Sequence, residues 1–255
     1  MAAEATSGAR RSSGPASDFA LAVAFLTIAP LRAQHGVLNR AAGWFALVGA
    51  LVGALAGGTR AGAEPLFGST LATVLAIVVL VVATGGLHQD GLADTADGLG
   101  VRGDRERRLA AMRDPAVGVF GALALLGWGL LLLAALAPLS AGEAALTLIA
   151  AGAVGRWTAV VHARAAPPAR GEGLGAAFRP TTTALAFSTV TAIGVAVLAC
   201  GALLGVVVVA LGTATAAGFT VLGRWALGGS TGDTLGATVA LVEVAVCMAL
   251  MSSWR

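Results

Sequence analysis

The sequence contains no lysine; all 16 of its basic residues are arginine, and we attach no function to that absence in a chain so rich in alanine, glycine and arginine. Cysteine is nearly missing as well. Cys200 and Cys247 lie in separate apolar runs, which excludes a disulfide framework and any CxxC metal or redox motif. No GK[ST] follows any glycine-rich stretch, so there is no Walker-type phosphate loop. Charge is scarce too, at 11% of 255 residues, against 57% hydrophobic residues and a mean hydropathy of +0.87. Such a chain is an all-α polytopic membrane protein. Its net charge of +3 carries no information about partners, because in membranes the placement of arginines matters more than their sum. Nucleic acid is not expected among them; the lipid bilayer is.

Residues 1 to 17 are small and polar and are expected to be a disordered tail, with residues 18 to 255 forming one membrane-embedded domain. Arg10 and Arg11 precede the apolar run Phe19 to Leu31, as in a signal peptide. Arg32, however, stands where a small-residue cleavage site is needed, and cleavage is not expected. The run is short and ends at Pro30, which suggests an interfacial helix. Seven longer segments match a hydrocarbon core needing about 20 apolar residues: 41 to 59, 69 to 86, 116 to 138, 144 to 162, 184 to 200, 202 to 222 and 236 to 253. The division at Gly201 requires a tight turn.

Arginine placement tests this count. With the N-terminus inside, thirteen of the 16 arginines fall on the inner side, Arg60 and Arg255 fall outside, and Arg156 lies within the fourth span. This distribution favours seven spans with the N-terminus inside and the C-terminus outside. The inner loops 87 to 115, 163 to 183 and 223 to 235 then hold nearly every candidate for chemistry.

The first of them opens with Gly85-Gly-Leu-His-Gln-Asp-Gly-Leu-Ala-Asp-Thr-Ala-Asp-Gly98. As a helix continuing out of the second span, it places Asp94 roughly 40° and Asp97 roughly 20° from Asp90, all on one face. Like charges so arranged repel unless a cation neutralises them, and oxygen-only ligands suit Mg²⁺ or Mn²⁺ rather than zinc. Asp90, Asp94 and Asp97 are therefore the expected metal ligands; the alternative is a helix-capping, solvated cluster. Gly91, Ala93, Ala96 and Gly98 keep neighbouring positions small, as for close approach of a phosphorylated substrate. His88 has two readings, proton transfer beside the metal or a simple interfacial histidine.

Arg102 and Arg113 belong to a basic run that suits substrate phosphates or an anionic lipid surface. A charge within a span normally faces a polar cavity or a partner, which makes Arg156 a candidate for the site. Gly228-Gly-Ser-Thr-Gly-Asp-Thr-Leu-Gly-Ala237 could offer amides from Gly229 and Gly232 to a phosphate, with Asp233 as a metal ligand or as the base for an attacking hydroxyl. Glu243, ten residues deeper, is expected to be paired within the bundle.

These blocks, together with Met112-Arg-Asp-Pro115 and Arg170-Gly-Glu-Gly-Leu-Gly175 with Phe178, resemble the signature of the cobalamin synthase family, the adenosylcobinamide-GDP ribazoletransferases, from about residue 19 to the end. The chain departs from that pattern at Ile28, where the family usually has Arg, and at Ala46 and Ser230, where Pro and Gln are common. No substrate contact is therefore assigned to the first helix. The resemblance implies attack by a ribose hydroxyl of α-ribazole, or of its 5'-phosphate, on adenosylcobinamide-GDP, with GMP leaving. On this basis Asp90, Asp94 and Asp97 would bind Mg²⁺, Asp233 would serve as ligand or base, His88 and Arg156 would act in catalysis, and Arg113 and Arg102 would hold phosphate. Self-association, or association with other cobalamin-assembly enzymes, is a partner reading left open. Two other readings are a CDP-alcohol phosphotransferase, whose D-x₂-D-G-x₂-A-R start is not matched here, and an ion-coupled transporter, for which acids near mid-span are expected.

Overall fold

The computed structural model describes residues 14–31 and 37–254. They form helices α1 (Pro15–Leu26), α2 (Leu38–Ala41, followed by the 3₁₀ turn Ala42–Trp44), α3 (Phe45–Ala83), α4 (Leu87–Gly100), α5 (Arg105–Ala111), α6 (Val119–Leu136), α7 (Ala141–Ala165), α8 (Leu174–Ala177), α9 (Thr182–Cys200), α10 (Ala202–Leu227) and α11 (Gly232–Ser253). Helix α1 starts at Pro15, inside the stretch expected to be tail. Residues 1 to 13 lie outside the described residues, as do the expected inner-side Arg32 and the outer-side Arg255.

Six helical stretches among the described residues are long and apolar enough to cross a membrane, and the first, Leu38–Ala83, is two legs in one. Gly68 has φ 73° and ψ 167° inside it, a conformation that costs glycine nothing and other residues much. The backbone folds back there. Arg60 Nε donates to Thr73 Oγ1 at 2.9 Å, whereas thirteen residues of straight helix would hold the two about 20 Å apart. Arg60 is fully buried, also pairs with Glu64 at 2.8 Å and donates to the Leu139 carbonyl, so it pins this hairpin to the α6–α7 turn. Seven apolar legs result, matching the expected count. The tight turn at Gly201 is present, with φ 81° between α9 and α10.

Helices α7 and α11 are mostly buried within the bundle, while the other spans present most of their surface outward. That outward surface is apolar, including Leu66, Val190, Leu198 and Leu203, as a lipid-facing surface must be. The first leg of α3 lies against α7 through Gly49, Gly53 and Gly57. A Cβ on Gly49 would sit 2.0 Å from the Gly152 carbonyl oxygen, and one on Gly53 would sit 2.2 Å from that of Leu148. Small residues four apart let two backbones touch, which is how helices associate where water supplies no driving force.

Helix starts are written in the local sequence. Ser140 and Glu143 form a capping box at α7, Thr231 and Thr234 form one at α11, and Thr181 caps α9. Within spans, hydroxyls such as Thr189 and Thr238 donate to the carbonyl four residues earlier and so need no water.

Candidate active site

The three polar loops 87 to 115, 163 to 183 and 223 to 235 meet at one rim of the bundle. Ala169 N–H donates to the Ser230 carbonyl and Ser230 N–H to that of Pro167, each at 2.8 Å, zipping the second loop to the third in a short parallel bridge. Helix α5 locks onto both, because Arg105 donates to the carbonyls of Leu227 (2.8 Å) and Ala169 and Arg170 donates to that of Leu109 (2.7 Å). Gly229 is consumed by this zipper. A Cβ there would lie 2.3 Å from the Pro167 oxygen, so its service is close backbone approach rather than the expected phosphate contact.

Helix α4 does not continue the preceding span as expected. Gly85 and Gly86, with φ of 60° and 72°, break the chain, and α4 starts afresh at Leu87. It lies along α11 with Gly91 against Asp233, where a Cβ would come within 2.6 Å of the Asp233 carbonyl oxygen. Gly98 is likewise filled, by Met112. The small residues of α4 thus serve helix packing, and a substrate does not need them to reach the backbone.

This packing brings Asp233 to the Asp90–Asp94 face. Asp90 is exposed, Asp94 and Asp233 are half-buried, and Thr231 Oγ1 donates to Asp233 at 3.2 Å. The Asp94 carboxyl is pushed up from 3.8 to about 6, first by burial and then by the charges of Asp90, Asp233 and Asp97, with Arg170 opposing. Arg170 is half-buried on the same cluster, and a cleft of about 120 Å³ is lined by Arg170, Glu172, Ser230, Thr231, Gly232 and Asp233. Gly232, in the first turn of α11, is therefore placed at the cleft.

Asp97 is used differently. It accepts the Gly118 and Gly121 amide protons at 2.7 and 2.9 Å, capping α6 from outside; for this acid the capping reading describes what the structure contains. Arg156 also departs from expectation. It is buried and bonded to buried Glu243, so its charge is neutralised inside the bundle rather than presented to a substrate at the rim. Arg113 is exposed and pairs with Glu172 at 3.1 Å, beside the cleft; Arg102 is exposed after α4. His88 is buried under the acids, held well below its usual pKa by burial and then by the Arg156 charge, and its Nδ1 has no hydrogen-bond partner among the described residues.

Local sequence assigns Arg170 no role, although it opens the Arg170-Gly-Glu-Gly-Leu-Gly175 block. Its signal was present as a basic residue beginning a glycine-rich inner loop.

As they stand, no three His, Cys, Asp or Glu side chains among the described residues form a group that could hold a metal ion. That is compatible with Mg²⁺, which usually takes one or two carboxylates and completes its shell with water and substrate phosphates. The donor chemistry fits. Asp90, Asp94 and Asp233 are all oxygen donors, and their mutual repulsion, visible at Asp94, is what a cation relieves.

The fold and rim define a class: a polytopic membrane helical bundle whose charged loops are gathered into one acid-lined cleft. The chain belongs to the cobalamin-5-phosphate synthase family, whose pattern matches residues 18–251. It is similar to the adenosylcobinamide-GDP ribazoletransferases of Sinorhizobium medicae (39% identity; 91% of this chain, 95% of the relative), Sinorhizobium sp (37%; 91% and 95%) and Roseiflexus sp. strain RS-1 (35%; 94% and 91%). No solved structure matches.

Proposed function

We propose that the chain transfers the adenosylcobinamide phosphate group from adenosylcobinamide-GDP to α-ribazole, or to its 5'-phosphate, releasing GMP at the cytoplasmic face of a bacterial inner membrane. The observation that carries this reading is the α4–α11 contact at Gly91, which brings Asp90, Asp94, Asp233 and Arg170 within electrostatic reach of one another, with Asp233 and Arg170 lining one cleft. Family membership and the names of the relatives supply the substrates.

In this reading a ribose hydroxyl oxygen forms a bond to the cobinamide-side phosphorus, and the bond to the bridging pyrophosphate oxygen breaks. GMP departs with that electron pair. Asp233 takes the hydroxyl proton, Thr231 orients Asp233, and Arg170 and Arg113 hold the negative oxygens. Asp90 and Asp94 would hold Mg²⁺, which when bound supplies neutralisation of the pyrophosphate charge. The arginine bias supports an N-terminus on the inner side. His88 is buried beneath these acids and is given no part in the phosphoryl step.

Incubation of the purified protein with adenosylcobinamide-GDP, α-ribazole and Mg²⁺ should release GMP. Asp94→Asn should abolish release at every Mg²⁺ concentration while the protein remains inserted; near-normal turnover would sink the assignment.

A further inference from the structure

Arg170 also lines a second, more open hollow, of about 370 Å³, whose other walls are Arg105, Glu106, Leu109, Ala110 and Arg113 of the α5 region. Its volume falls within the roughly 300–1,000 Å³ of ordinary ligand sites. Three guanidiniums meet one carboxylate here, beside an apolar floor of Leu109 and Ala110. Arg170 is the wall that this hollow shares with the Asp233 cleft, so whatever fills the one is next to whatever reacts in the other.

The arginines are fixed by backbone carbonyls and still have nitrogens to offer. Arg105 is held by Leu227 and Ala169, and Arg170 Nη2 by Leu109 at 2.7 Å, while Arg170 Nε is buried without a partner among the described residues. Arg113 is tied to exposed Glu172 at 3.1 Å. Exposed pairs contribute little, so a phosphate replaces this one readily. Arg170 is held below its usual pKa by burial and then by the Arg113 charge, and an anion between the two removes that repulsion. Glu106 breaks the pattern. It is exposed, with Arg105 at 3.5 Å, and a carboxylate there repels an anionic headgroup but accepts from a base that carries N–H donors.

We propose that this hollow is the subsite of the leaving guanosine monophosphate: its phosphate lies between Arg113 and Arg170, its base rests on Leu109 and Ala110, and Glu106 accepts the guanine N1–H and 2-amino protons. The proposal rests on the transferase reading above and names the residue that selects its nucleotide. An ionised carboxylate only accepts hydrogen bonds. Guanine presents two adjacent donors to its two oxygens; hypoxanthine presents one, and adenine presents one beside a ring nitrogen that the carboxylate repels. Arg170, common to both hollows, then spans the pyrophosphate of the donor. It holds the cobinamide-side phosphate beside Asp233 and the guanosine-side phosphate beside Arg113, where charge collects as GMP departs.

The test uses the full-length protein in detergent with Mg²⁺ and equilibrium dialysis of GMP, IMP and AMP. Wild-type protein should bind GMP about tenfold or more tighter than IMP or AMP, the effect of one lost hydrogen bond to a charged group. Glu106→Gln should bring GMP and IMP to within about twofold of each other. Ala110→Phe, which fills the floor of the hollow, should raise KM for adenosylcobinamide-GDP about tenfold and leave KM for α-ribazole within about twofold. Both positions are exposed, so neither change disturbs the packed bundle. Phosphatidylglycerol added to the micelles separates a nucleotide from a lipid headgroup as the source of the anion. Selective GMP binding that survives it supports the proposal; equal affinity for the three nucleotides, with GMP displaced by the lipid, overturns it. GMP release by wild-type protein, with affinities and donor KM that neither variant changes, overturns the subsite alone. Selective GMP binding without GMP release from adenosylcobinamide-GDP and α-ribazole overturns the transferase reading instead.

Discussion

Asp97 accepts the Gly118 amide proton at 2.7 Å and, through its other carboxylate oxygen, that of Gly121 at 2.9 Å, so an acid on α4 caps a helix that begins 22 residues later. Removing a half-buried acceptor strands its donors at a cost toward the low end of about 1–3 kcal/mol. Asp97→Ala should therefore lower thermal stability in detergent and leave the Mg²⁺ concentration for half-maximal activity of the surviving fraction unchanged. A large rightward shift of the Mg²⁺ curve at unchanged stability would return Asp97 to the metal.

Arg156 and Glu243 should behave as one unit. Breaking a buried ion pair from one side costs about 3–5 kcal/mol because the remaining charge is left alone, while replacing both partners with apolar residues costs far less. Arg156→Met is expected to express poorly or unfold early, and Arg156→Met with Glu243→Leu to recover most of the stability, measured by fluorescence-detected size exclusion on heating. If the double variant recovers stability and GMP release together, the pair is structural; stability without release would give Arg156 a part in the chemistry.

The Asp94 carboxyl titrates at about 6 in the folded protein against 3.8 when unperturbed. Between those values the folded state holds a proton that the unfolded state has lost, so metal-free stability declines as pH rises through the interval. In the presence of chelator, lowering the pH from about 7.5 to about 5 should raise the melting temperature of wild type relative to that of Asp94→Asn. Buried His88, held below its usual pKa, acts in the opposite direction on both proteins, and added Mg²⁺ should raise the wild-type melting temperature much more at the higher pH. A pH profile identical in wild type and variant would contradict the assignment of the shift to this residue.

At the far side of α7, Gly152 touches the first leg of α3 backbone to backbone, and its own Cβ would meet the Gly49 oxygen at 2.2 Å. Gly152→Leu must separate the two helices, and a forced separation costs about 1–3 kcal/mol or more. The expected outcome is a lower melting temperature, with Gly218→Leu, which has open space around its Cβ position, as the neutral control.

What could be read in advance was whatever local spacing encodes. The apolar legs, the hairpin between residues 59 and 69 and the common phase of Asp90 and Asp94 all follow from residues within a few turns of each other. What local spacing does not encode is the identity of partners distant in sequence. For Arg156 the sequence allows a cavity or a partner, and the partner, Glu243, stands 87 residues away. Asp97 looked like a ligand because the groups that hold it are backbone amides of α6, which leave no trace in residue identity. Arg170 went unassigned because its approach to the acids depends on the pairing of Pro167 and Ala169 with Ser230, a contact between two loops that local periodicity does not describe.

The glycine pair at residues 85 and 86 acts as a mechanical joint. The leg before it, from residue 69 to Ala83, spans about 22 Å of helix, short of a typical hydrocarbon core of about 30 Å, and a short leg must tilt, draw the bilayer in or shift when lipid thickness changes. A rigid continuation would carry such a shift straight into Asp90 and Asp94. With the joint, α4 stays registered on α11, and the spacing between its acids and Asp233 becomes a property of two packed helices rather than of the lipid around them. Turnover in nanodiscs of thin and thick lipids should accordingly differ less than the stability of the whole bundle does.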